Sequence, residues 1–247
     1  MRVSVILIAA ATVVALCAAP RRVDAQELRP LGPLDENGVV TYFISAGAQN
    51  ARYRNADREL ATWALGAWER AARGELRFEP GDESSALVRV YWVEAEAGQY
   101  GEMRAIDVDG RRGAAVFIRP DTDALGPEIA KLASTDPLFR ETIVYLTCVH
   151  ELGHALGLRH TASFADVMYF FGFGGDIPGF FRRYRDQLVE RSDIAHVSGL
   201  SPGDIAQLHA LYPSHEARGV RVLGPVHGLD RAEFPSTRAS SILAAVH

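Results

Sequence analysis

Residues His150–His160 read HELGHALGLRH, and this stretch decides how the rest of the chain is read. It gathers three of the chain's eight histidines at the end of a long apolar run. His150 and His154 are four positions apart, so on a helix their side chains lie about 40° apart on one face, one turn above the other. Two imidazoles at that spacing can reach one zinc ion at roughly 2 Å each. On a continuing helix His160 could not join them, because it would lie about 9 Å further along the axis and face another way. Gly157 supplies the missing break, since glycine takes a left-handed conformation and turns the chain back. Glu151 separates an enzyme from a structural zinc site. Three protein ligands leave a fourth position for a water, whose proton Glu151 can take and later pass to a leaving amine. The bland reading, a core helix with solvated histidines, requires the five fixed positions of the pattern to coincide by chance.

Working outward, STDPLFRETIVYLTCVHELGHALG reads as the best helix of the chain, with Asp136 as N-cap, Pro137 at the first position and Gly157 at the exit. Cys148 lies about 200° around that helix from His150, which makes it a buried, inert core thiol. Upstream, VVTYFIS (Val39–Ser45), LRFEP and ALVRVYWV read as strands. Between the first two, NADRELATWALGAWERAAR has a helical period with Leu60, Trp63, Ala64, Ala67, Trp68 and Ala71 on one face, and Gly74 stops it. EMRAIDVDGRRGAAVFIRP reads as a hairpin turning at Asp109-Gly110, with Ala114–Arg119 as its stronger arm. Downstream, LSPGDIAQLHALYP starts a last helix with Ser201 as cap, Pro202 at the first position and Pro213 past the end. The order of elements is that of one α+β domain.

At 247 residues, 48% hydrophobic and 23% charged, the chain has ample material for a core. Met1 and Arg2 precede an apolar run from Val3 to Leu16, and Val23 and Ala25 are the small residues of a cleavage site, so residues 1–25 read as a secretory signal peptide. An uncleaved membrane anchor is the alternative. Removing residues 1–25 takes away three Arg and one Asp and leaves 23 basic against 30 acidic residues, a net charge of −7. That acidity argues against a nucleic-acid partner. Cys17 leaves with the signal peptide, so the domain rests on its core without disulfides. The expected organisation is a signal peptide (1–25), an extended lead-in (26–37), a catalytic domain (38–213) and a tail (214–247).

HELGHALGLRH resembles the long zinc motif of the metzincin metalloproteases, and its surroundings resemble the matrixins, the matrix metalloproteinase group. HTASFADVMYF is similar to their segment after the third ligand, with Met168-Tyr169 matching the methionine turn. LSPGDIAQLHALYP is similar to their last helix, and LATWALGAWERAARGELRFE to their first helix and second strand. The resemblance implies a twisted, mostly parallel five-stranded sheet with three helices, and one catalytic zinc held by His150, His154 and His160. It implies Met168 as a hydrophobic floor under the ligands and Asp204 as the acid that secures the methionine turn. The position before it, an acid in the family, is Gly203 here, so the family's pairing with a freed amino terminus is expected to be missing. The substrate would lie along an edge strand, taken as Ala114–Arg119, with Ala114, Val116 and Ile118 on the strand and Tyr169, Phe170 and Phe171 beside the zinc as candidate contacts.

About a dozen residues separate Ala25 from the first strand. The expectation is therefore an enzyme without a pro-domain or a propeller domain, monomeric, acting on proteins or peptides, with no membrane partner once the signal is removed. The aromatic stretch MYFFGFGGDIPGFFRRYRDQ reads either as a wall or lid at the site or as a satellite core under a loop. By the resemblance DVDGRRG could hold a structural calcium, but a tight turn explains Asp109-Gly110 with no ion and is the preferred reading. His196, His209, His215, His227 and His247 are scattered and read as solvated, with no second zinc expected. The leading function is a secreted zinc endopeptidase working through Glu151. A non-proteolytic zinc-binding interaction protein of the same fold, and a zinc hydrolase of cell-wall or small peptides, stay open.

Overall fold

The computed structural model describes residues 33–34, 38–96 and 99–214. The expected signal peptide, nearly all of the lead-in and all but the first residue of the tail lie outside them. Five strands, β1 (Val39–Ile44), β2 (Arg77–Pro80), β3 (Val88–Trp92), β4 (Gly101–Val108) and β5 (Arg111–Ile118), form one sheet in the order β2-β1-β3-β5-β4. The first three neighbour pairs are parallel, and only β4 runs antiparallel, against β5. Asp109 and Gly110 turn this hairpin with φ of 53° and 77°, the left-handed pair that a two-residue loop needs to follow strand twist.

The helices are α1 (Asp57–Ala71), α2 (Pro127–Thr135), α3 (Pro137–Ala155), α4 (Ile177–Arg185) and α5 (Pro202–Leu211). The α+β class and the mostly parallel five-stranded sheet are as the sequence implies. The expected three helices are α1, α3 and α5, and the structure adds two. Gly126 at φ 110° turns the chain into Pro127 to start α2. Asp176 accepts a hydrogen bond from Gly179 N–H to start α4, which buries Phe180, Phe181 and Tyr184. Both are nine-residue helices, shorter than the window of about 11–18 residues over which a helical period is read.

One expectation is corrected by the sheet order. β5 is not an edge: β3 and β4 flank it, and Ala114, Val116 and Ile118 point into the core. They cannot meet a substrate, because both backbone edges and the side chains are already used. The apolar, β-branched character of Ala114–Ile118 is that of a strand with neighbours on both sides, whereas β4 carries Glu102, Arg104 and Asp107, the charged pattern that protects an edge.

α1 and α3 pack on each other, and α3 lies against β4 and β5. Trp68 of α1 donates its indole N–H to the Val149 carbonyl at 2.9 Å, which ties the two helices together one residue before His150. A buried ion pair locks their other ends. Arg140 Nη2 donates to Asp57 Oδ2 at 2.8 Å and to the Pro120 carbonyl at 3.2 Å, and Arg140 Nη1 also meets Asp57 Oδ1. Asp57 accepts in addition from Arg54 N–H at 2.9 Å. Removing one partner of such a pair strands a charge in low dielectric. Asp57→Ala is therefore expected to lower the unfolding free energy by about 3–5 kcal/mol in urea titrations, and a loss below about 1 kcal/mol would contradict this reading of the pair.

Candidate metal centre

The last two turns of α3 carry His150, Glu151 and His154, and the helix ends as the sequence requires. Asp136 caps its start by accepting from Leu138 N–H at 3.0 Å. At its far end Gly157 takes φ 99°, and Leu158 N–H reaches back to the Gly153 carbonyl at 2.9 Å. This reversal brings His160 over the face that holds the other two histidines. His160 Nε2 lies 3.2 Å from His150 Nε2 and 3.0 Å from His154 Nε2.

Those short contacts are informative because of what the other ring nitrogens do. His150 Nδ1 sits 2.7 Å from the Val167 carbonyl and His154 Nδ1 sits 3.0 Å from the Leu158 carbonyl. A carbonyl only accepts, so each Nδ1 carries the proton and each Nε2 presents a bare lone pair. His160 can donate one proton at most, which leaves the cluster short of donors. A cation satisfies all three at once, and two nitrogens on a tetrahedral zinc are about 3.3 Å apart for bonds near 2.05 Å. The donor set fits zinc. Burial, then the neighbouring His154, lowers the His150 pKa to about 3, so its imidazole stays in the neutral form that binds metal.

The turn after His160 is held from two sides. Thr161 N–H donates to the Met168 carbonyl at 2.8 Å, and Phe170 N–H to the Thr161 carbonyl at 3.2 Å. From α5, the fully buried Asp204 accepts from Val167 N–H at 2.9 Å, Met168 N–H at 3.2 Å and Ser201 N–H at 2.8 Å. Val167 is the residue whose carbonyl orients His150, so a carboxylate on the last helix fixes a ring on the third. Met168 is fully buried and lies against α3 at Gly153. Its approach depends on Gly153, where a Cβ would stand 2.5 Å from Met168 Sδ. Gly203 likewise makes room for Asp166: a Cβ there would stand 2.9 and 3.0 Å from its carboxylate oxygens, one of which accepts from Ser201 Oγ at 2.7 Å. Sequence reasoning passed over Gly153, Asp166 and the space at Gly203, since none carries a periodic signal.

Glu151 is buried beside His150. Burial first, and Glu102 second, raise its pKa to about 8, with Arg119 opposing them. A dication at the histidines would act in the same sense as Arg119. Cys148 is buried on the far side, and burial lifts its thiol pKa.

The aromatic stretch divides. Phe180, Phe181 and Tyr184 are core residues of α4, and Phe171 packs on Phe180 and on Tyr100, with centroids 5.0 and 5.2 Å apart. Tyr169 is also buried, its hydroxyl donating to the Gly174 carbonyl at 2.9 Å, so its expected role as a substrate contact is corrected to one of packing. Phe170 alone of the three expected aromatic contacts lies against a zinc-site ring, 4.8 Å from His160, and Phe173 beside it is 64% exposed.

The family model of the matrixins, peptidase family M10, matches residues 35–173, more than half of the 247-residue chain. The chain belongs to the matrixin family. It is accordingly a zinc-dependent metallopeptidase, a hydrolase, and the histidine triad fits the metal that the family uses. No match is found among curated proteins.

The path from Asp204 through the turn to His150 predicts an effect on metal binding from a residue that touches no metal. Asp204→Ala is expected to weaken zinc binding by about 10- to 100-fold in chelator competition; unchanged affinity would remove Asp204 from the path.

Proposed function

We propose that this matrixin is a secreted endopeptidase that cleaves extended peptide segments, with His150, His154 and His160 holding the zinc and Glu151 moving the proton. The observation that carries the reading is a buried carboxylate beside three imidazoles that converge on one point. His150, His154 and His160 would hold a zinc ion, which when bound would supply Lewis acidity towards a peptide carbonyl and a water. Glu151 accepts the proton of the attacking water as its oxygen bonds to the carbonyl carbon. It returns that proton to the amine nitrogen as the C–N bond breaks. A dication held by the histidines would favour the ionised carboxylate, the form able to take that proton.

β4 supports the choice of an extended substrate. Arg119 N–H donates to the Tyr100 carbonyl at 3.0 Å, which makes this a hydrogen-bonded pair. By the alternation of an antiparallel ladder, the backbone groups of Gly101, Met103, Ala105 and Asp107 then point away from β5. A peptide pairing with them adds a strand to the sheet through main-chain hydrogen bonds, which need no free chain end. Phe170 and the exposed Phe173 offer apolar surface where such a peptide passes His160.

Secretion rests on residues 1–25, and the exported protein is expected to begin at Gln26 on N-terminal sequencing. Finding Met1 retained would count against it. For the activity, a peptide library is expected to be cut internally by the zinc-loaded protein and not after chelation. Glu151→Gln should slow cleavage at least about 100-fold. A variant as fast as the parent would overturn the role of Glu151. Zinc binding without cleavage of any peptide would favour a non-proteolytic interaction protein.

A further inference from the structure

Gly101 opens β4 at the point where the sheet edge passes Glu151. Its backbone lies outside the left-handed region, so conformation does not demand a glycine there. Space does. A Cβ on Gly101 would stand 2.7 Å from Glu151 Cγ, 2.9 Å from Glu151 Oε1 and 2.9 Å from Thr147 Cγ2. Two of these three obstacles belong to the side chain that carries the carboxylate, and the third lies one turn earlier on the same helix. The further outward-facing positions of β4, Met103, Ala105 and Asp107, all carry side chains.

Glu151 has little room to yield. It is buried, and the obstacle includes its Cγ, near the root of the side chain, as well as its Oε1. The Cα of Gly101 therefore acts as a wall against which the carboxylate rests. The same residue presents backbone groups to the open edge, on the ladder alternation given above.

We infer that Gly101 is a positioning residue: its missing side chain sets the distance between the Glu151 carboxylate and the strand edge on which the substrate pairs. The inference rests on the peptidase reading of Glu151 and the β4 edge, and assigns it a second, non-reacting part. Adding a methyl group forces either the carboxylate or the strand to move, and a misplacement of about 1 Å at a reacting group costs up to about 100-fold in rate.

The test is Gly101→Ala in the zinc-loaded, full-length protein. Expected are a fall in kcat of about 10- to 100-fold with KM changed far less, and unaltered zinc affinity, since none of the three atoms nearest the new methyl group belongs to a histidine. Thr147→Ser, which deletes Cγ2, should restore part of kcat in the Gly101→Ala background. A crystal structure of Gly101→Ala should show the Glu151 carboxylate displaced from the strand edge. An unchanged separation between carboxylate and strand edge, or kcat within twofold of the parent, overturns the inference, and so does a loss of kcat matched by an equal loss of zinc affinity. The crystallographic arm reads Gly101 without any turnover, whereas failure of the parent protein to cleave peptides would strike the peptidase reading instead.

Discussion

Three imidazole lone pairs are brought together at the end of α3, and much of the domain is arranged to hold them there. Lone pairs repel, so the arrangement persists only because each ring is fixed from behind and a cation can be shared in front. His150 is fixed by the Val167 carbonyl, and Val167 by Asp204 on a helix that begins 52 residues after His150 in sequence. His154 is fixed by Leu158, a residue of the reversal that Gly157 permits. A metal site of this kind is a tertiary structure before it is a motif.

The surrounding packing serves close approach. Gly153 lets Met168 come up to α3, Gly101 lets β4 come up to Glu151, and Gly203 lets Asp166 reach Ser201. None of these three glycines has the positive φ that usually explains the residue. Each is small because an important side chain occupies the neighbouring volume. The domain thus spends some of its backbone rigidity to bring a floor, a carboxylate and an anchoring turn near one point.

What could be read in the sequence follows from this division. The spacing of His150, Glu151 and His154 is a local matter of helix period, and the break at Gly157 is a local matter of backbone freedom, so both were legible. The hairpin at Asp109-Gly110 and the caps at Asp136 and Ser201 were legible for the same reason. Sheet order was not, because which arm of a hairpin lies at the edge depends on pairing with β3, far away in sequence. The strongly apolar arm drew attention as the substrate strand, although that character marks burial on both sides. The roles of Gly101, Gly153 and Asp166 were illegible since the reason for a missing side chain is a neighbour that only the fold supplies. Of the two readings of the aromatic stretch, the satellite core holds for Phe180, Phe181 and Tyr184 of α4, while Phe170 lies against His160.

The claim on which everything else depends is that one zinc ion is held by three imidazoles with a fourth position left to oxygen. X-ray absorption at the zinc edge on the purified full-length protein tests this most directly. The account predicts one zinc per chain, three imidazole ligands at about 2.0–2.1 Å, one further light ligand and no sulfur. A fully protein-closed shell of four ligands, or any sulfur contribution near about 2.3 Å, would contradict it.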